Sequence, residues 1–170
     1  KPPLSPKAGN CVKERLIGAP NTVHTGVIQL RSWLPADIGA VMWAGLAAAP
    51  TTVYIPYYFG IEEVPVQYRT AGPKFDKGSA FWIFKTLSIL AYPYSNGLIE
   101  EVIPVQQGFE KKLFTIQESV EQAALELYKK DKEAARDFLT FYSNGLSLKA
   151  LNMAEQLSGK LKTKLAIKIH

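Results

Sequence analysis

The chain has one cysteine, Cys11, so it has no internal disulfide and no multi-cysteine zinc site. It has two histidines, His24 and His170, and the second is the last residue. A His/Cys/carboxylate metal cluster is therefore not expected, and neither is any cofactor. No apolar run reaches the about 18–20 residues that a membrane span needs. The longest candidate, residues 38–49, is too short and contains Gly39 and Gly45. No segment at Lys1 reads as a signal peptide. Acid is missing from residues 159–170 (GKLKTKLAIKIH), which carry Lys160, Lys162, Lys164 and Lys168.

That basic end accounts for most of the net charge of +5, and the remainder is close to neutral. A nucleic-acid binder carries its basic residues as a stripe on the folded face. Here they sit at one end, as lysines do near a helix C-terminus. No nucleic-acid or membrane partner is expected. The competing reading, a basic-tailed binder of either, would show as salt-sensitive binding lost on removing residues 159–170.

What is present is an ordinary globular composition: 47% apolar and 21% charged residues in a chain of 170. That suffices for one domain or a large part of one. The composition changes near residue 79. Ten of eleven prolines lie at or before Pro93 and eight of twelve glycines before Ser79, so turns and strands belong to the first half and helices to the second. Residues 1–20 hold Pro2, Pro3, Pro6 and Pro20 and read as an extended lead-in. Residues 21–78 are β-rich, 79–160 helical and 161–170 a basic tail.

Residues 23–33 alternate partly and are rich in β-branched and aromatic side chains, which predicts a strand. Pro35, Ala36 and Asp37 form a turn. Residues 40–46 are small and apolar on both faces, as in a strand buried between layers. A third, shorter strand is expected over 51–54, before Pro56. The short connection favours an antiparallel hairpin.

From Ser79, a plausible N-cap, Phe81, Phe84 and Leu87 mark one face of a helix ended by Pro93. Ser95 opens a long helix to about Lys130, which Pro104 is expected to kink or split. Its apolar seam reads Leu113, Ile116, Val120, Ala123 and Leu127. Asp131 caps a last helix that Asn144 and Gly145 could interrupt. The fold class is α+β: a small antiparallel sheet followed by three or four helices.

Several segments carry a resemblance. They are residues 29–35 (QLRSWLP), 41–43 (VMW), 54–60 (YIPYYFG), and 79–82 (SAFW) with Phe84 and Lys85. Residues 126–131 (ELYKKD) and 138–144 (FLTFYSN) follow in the same order. Together they resemble the C-terminal half of the dipeptidase A and secernin-like family, cysteine peptidases of the N-terminal-nucleophile hydrolase class. The resemblance implies a partial αββα sandwich, with the second layer supplied by the N-terminal half. It implies hydrolysis of small dipeptides by an N-terminal cysteine whose α-amino group is the base. Lys1 is not that nucleophile, so no catalytic residue is expected in this chain, which alone would be inactive. Cys11 sits inside a Pro/Gly-rich lead-in without a neighbouring histidine and reads as a structural or incidental thiol.

The half at hand could supply substrate contacts. Arg31, on a strand, could hold a dipeptide carboxylate or favour a nearby thiolate, or it could form a surface ion pair. Gln29 and Thr25 share its strand face by the two-residue period, which faces either a pocket or solvent. His24 points the other way and reads as structural. Tyr57 and Tyr58, on a Pro-bounded loop, are pocket candidates within an aromatic-rich stretch that is otherwise core packing. Glu62, with Glu63, could hold a free amine or be simply solvated. The expected partners are a dipeptide substrate, the N-terminal half, and a second copy, because a sheet of this size leaves an apolar face bare. The alternative is a non-catalytic α+β binding or interaction module.

Overall fold

The computed structural model describes residues 19, 21–91 and 98–168. Three strands form one antiparallel sheet in the order β1 (His24–Leu30), β2 (Ala40–Leu46), β3 (Ile55–Tyr58). The short helices α1 (Ala36–Gly39) and α2 (Val66–Arg69) lie in the connections. Three longer helices follow: α3 (Ala80–Ala91), α4 (Ile99–Lys130) and α5 (Lys132–Lys168). The α+β class and the small antiparallel sheet followed by helices are as the sequence implies, and the arrangement is that of a partial sandwich.

The register fixes two faces. Val41 lies opposite Gln29 and Tyr58, and Trp43 opposite Val27 and Pro56. This inner face packs on α4 and α5 and holds the buried Val41, Trp43 and Tyr58. Met42 lies opposite Ile28 and Tyr57, and Ala44 opposite Gly26 and Ile55. On this outer face Ile28 and Leu30 are 67% and 75% exposed. The inner face thus carries a helix layer; on the far side Ile28 and Leu30 of β1 are bare, whereas Ile55 of β3, on the same face, is buried beside Phe84 of α3.

Several expectations shift. The third strand is Ile55–Tyr58, not 51–54; residues Ala49–Thr51 form a single 3-10 turn instead. Pro56 is tolerated in β3 because it faces the outer edge, where a missing N–H costs no ladder bond. Its carbonyl there accepts from Ser143 Oγ of α5 at 2.8 Å. Tyr57 and Tyr58 thus lie in a strand, on opposite faces, rather than on a loop.

Ser79 immediately precedes α3 and its carbonyl accepts from the Ile83 amide at 3.1 Å, as at an N-cap, while its Oγ donates to the Thr70 carbonyl at 2.8 Å. Ser95 lies outside the described residues. α4 runs unbroken through Pro104, which sits on its exposed side in the second turn. Asp131 caps α5 as expected, its Oδ1 accepting from the Glu133 and Ala134 amides at 2.9 and 3.2 Å. α5 passes through Asn144 and Gly145 and continues to Lys168, so the basic run forms its last turns. Lys160 and Lys164 both pair with Glu101 of α4.

Candidate functional site

The polar side chains of the inner face converge on α4. Arg31 follows β1 directly. Its Nη1 donates to Glu121 Oε2 at 2.5 Å, Nη2 to the Ile38 carbonyl at 3.2 Å, and Nε to the Gly39 carbonyl at 3.4 Å. The last two acceptors belong to α1, which ends against the guanidinium because Gly39 has no side chain: a Cβ there would lie 2.5 Å from the Arg31 carbonyl. Both members of the pair are about 10% exposed at the side chain. Two such charges stay buried only when paired and hydrogen-bonded on their remaining atoms.

Glu121 is saturated in the same way. Its Oε1 accepts from Gln117 Nε2 at 2.8 Å and from the Tyr58 hydroxyl at 3.2 Å. Gln117 Nε2 also donates to Gln29 Oε1 at 3.1 Å, and Trp43 Nε1 donates to that oxygen at 3.4 Å. The Trp43 ring leans on Phe114 of α4, with centroids 4.7 Å apart. Gln29, Arg31, Tyr58, Gln117 and Glu121 are thus one connected network between sheet and helix.

Burial, then the Glu121 charge, pushes the Tyr58 hydroxyl far above the usual tyrosine range. It is a neutral donor at physiological pH and no base. Tyr142, whose ring lies 6.3 Å from that of Tyr58, is raised by burial and by Glu121.

The other candidates lie apart. Tyr57 points to the outer face. There Met42, Ala44, Leu46, Ile55, Tyr57 and Phe84, with residues of the 61–68 segment, line an apolar groove of about 250 Å³. Its hydroxyl is bonded to Ser147 Oγ at 2.8 Å, and Tyr68 donates to the Ser147 carbonyl at 2.9 Å. Burial raises the Tyr57 pKa to about 12, the Ser147 bond opposing it, and burial raises Tyr68 further.

Thr25 is half-buried, and its Oγ1 meets no hydrogen-bond partner. Glu62 is exposed, and its backbone N–H donates to Thr140 Oγ1 at 3.1 Å. His24 is exposed. Cys11 lies outside the described residues. Among the described residues no cluster of His, Cys, Asp and Glu could hold a metal ion, and no helix is long and apolar enough to cross a membrane.

Sequence reasoning missed Gln117 and Glu121. The seam that α4 buries is Val102, Gln106, Phe109, Leu113, Glu121 and Ala124, whereas Ile116 and Ala123 of the expected seam are exposed. The available signal was the polar residues set in a helical row that is otherwise apolar.

Probable dipeptidase B of Streptococcus pyogenes serotype M1 is 25% identical over 134 residues, which cover 78% of this chain and 27% of that protein. Dipeptidase A of Lactobacillus helveticus is 34% identical over 73 residues, 42% of this chain and 15% of that protein. Probable dipeptidase B of Lactococcus lactis subsp. lactis (strain IL1403) is 26% identical over 76 residues, 45% of this chain and 16% of that protein. The matched stretch spans about a quarter or less of the length of these relatives. The sequence profile of peptidase family C69 matches residues 5–108, more than half of the chain. The chain belongs to peptidase family C69.

Proposed function

We propose that this chain is a C-terminal portion of a cysteine dipeptidase. The complete enzyme hydrolyses small dipeptides through an N-terminal cysteine that lies outside residues 1–170. The observation that carries this reading is the family match together with relatives named as dipeptidases. The exposed β1 side of the outer face is consistent with it, since apolar sheet surface left bare calls for a further layer. Cysteine attack on the peptide carbonyl needs no metal and no cofactor.

In this reading Arg31, Gln29, Thr25, Tyr57, Tyr58 and Glu62 are the candidate substrate contacts. Arg31, Gln29 and Tyr58 share one network and act as a unit. Arg31 already holds a carboxylate, that of Glu121. It would therefore take a dipeptide carboxylate only by exchanging partners, or act from behind the substrate by its charge. Tyr57 lines the apolar groove and is the better placed to meet an apolar side chain.

The test is dipeptide hydrolysis by the complete gene product, with and without a thiol alkylator, beside the 170-residue chain. Alkylator-sensitive hydrolysis by the former and none by the latter supports the proposal. The complete internal pairing of Arg31 favours a second reading, a non-catalytic interaction module. That reading gains if the complete gene product hydrolyses no dipeptide.

A further inference from the structure

The two edges of the sheet are treated differently. The outer edge of β3 is closed by α5: Pro56 has no N–H to offer, and its carbonyl is taken by Ser143. The outer edge of β1 meets no other strand among the described residues.

Which groups of β1 face that edge follows from parity. Arg31 N donates to the Gly39 carbonyl at 3.1 Å, and Ala47 N donates to the Val23 carbonyl at 2.8 Å. Both bonds join odd-numbered residues flanking β1 to residues flanking β2, in the register that also pairs Thr25 with Gly45, Val27 with Trp43 and Gln29 with Val41. In an antiparallel ladder the backbone groups of alternate residues point to opposite sides. The N–H and C=O of His24, Gly26, Ile28 and Leu30 therefore point outward.

Natural edge strands are guarded by charge, proline or a bulge. Here the strand reads HTGVIQL, without lysine, acid or proline. Val27, Ile28 and Leu30 are exposed, at 60%, 67% and 75%, so the edge is apolar on both faces.

The strand also matches itself. Two copies run antiparallel about Val27 set Val27 against Val27, Thr25 against Gln29, Gly26 against Ile28, and His24 against Leu30. The pairs that exchange hydrogen bonds are then 26 with 28 and 24 with 30, the residues whose backbone groups point outward. All seven residues of the strand are used and no charge meets a like charge. Ile28 faces a glycine, which leaves it room. Thr25, whose Oγ1 is buried and unpartnered, faces the amide of the second copy's Gln29.

We infer that two copies of this chain associate by antiparallel pairing of their β1 edges about Val27, giving a continuous six-stranded sheet. The inference stands apart from the dipeptidase reading and does not need it.

The experiment is residue-resolved amide exchange on the 170-residue chain, by NMR, over micromolar to millimolar concentrations, with sedimentation run in parallel. Dilute, the odd-numbered amides of β1 exchange slowly and those of residues 24, 26, 28 and 30 quickly. Where sedimentation shows dimer, the even-numbered amides slow by about tenfold or more. Ile28→Pro removes an outward N–H and no backbone bond to β2, and it should abolish both the dimer and that protection while the odd-numbered amides stay slow. A monomer at every concentration overturns the inference. So does a dimer that leaves the even-numbered amides fast, which would place association on the sheet face. Even-numbered amides already slow in the monomer would put another segment of the same polypeptide on this edge and overturn it too.

Discussion

Arg31 and Glu121, ninety residues apart in the chain, meet at 2.5 Å between the end of β1 and the middle of α4. Each side chain is about 10% exposed, and each has its remaining polar atoms bonded, Arg31 to α1 carbonyls and Glu121 to Gln117 and Tyr58. The pair fixes how the long helix lies on the sheet. It places Arg31 as a charge presented by the inner layer rather than as a free surface arginine.

Removing one member leaves the other buried without its counter-charge. Arg31→Met or Glu121→Leu should each cost about 3–5 kcal/mol. The double variant should cost less than the sum, because no orphan charge remains. Urea unfolding of the four proteins checks this. Additive losses would mean that the two side chains do not interact in solution.

Gly39 should resist substitution although it lies in no catalytic motif. A Cβ there would sit 2.5 Å from the Arg31 carbonyl and 3.1 Å from the Leu34 Cβ. Gly39→Ala should therefore destabilise by about 1–3 kcal/mol. Gly108→Ala is the contrasting case. A Cβ at that position on α4 would meet nothing within 4 Å, and the change should stabilise by about 0.5–1 kcal/mol through helix propensity. Thermal melts of the two variants should shift in opposite directions.

High pH should unfold the protein from within its tyrosine clusters. Tyr57, Tyr58 and Tyr68 have folded pKa values raised by burial, Tyr57 to about 12. A raised pKa means that the folded state holds its proton more tightly than the unfolded state. Stability from these groups is complete below about pH 10 and falls as pH climbs through the folded values. Tyr57→Phe should flatten the loss between pH 10 and 12, as read from urea midpoints against pH. An unchanged slope would show that Tyr57 ionises in the folded state as freely as in the unfolded one.

The Lys160 and Lys164 pairs with Glu101 should matter little. Both lysines are well exposed, and such pairs are worth about 0–1 kcal/mol. Glu101→Gln should lower the melting temperature slightly at low salt and not at all at high salt. A large loss would assign the basic end of α5 a structural role that its exposure does not suggest.

Much of the fold is written locally. Residues 40–46 announce β2 because small apolar side chains on both faces suit a strand between layers, and Asp131 announces the start of α5. The third strand is displaced because Pro56 reads as a break when its neighbours in space are unknown. Beside α5 it is simply an edge residue. The site is less legible. Gln29 on β1 and Arg31 just past its end stand out, but Gln117 and Glu121 lie almost ninety residues away, on a helix whose sequence offers two adjacent rows for burial. Hydrophobicity alone favours the row of Ile116 and Ala123. The sheet chooses the other, because there Gln117 and Glu121 answer the polar groups of β1 and β3.

The most direct test is to label the complete gene product with a thiol alkylator during dipeptide turnover, and then to map the adduct and read the first residue of the labelled polypeptide. A single adduct on a cysteine that is the first residue of a polypeptide working together with residues 1–170, with hydrolysis lost in proportion to labelling, is the predicted result. An adduct confined to Cys11, or full hydrolysis after complete labelling, would contradict it.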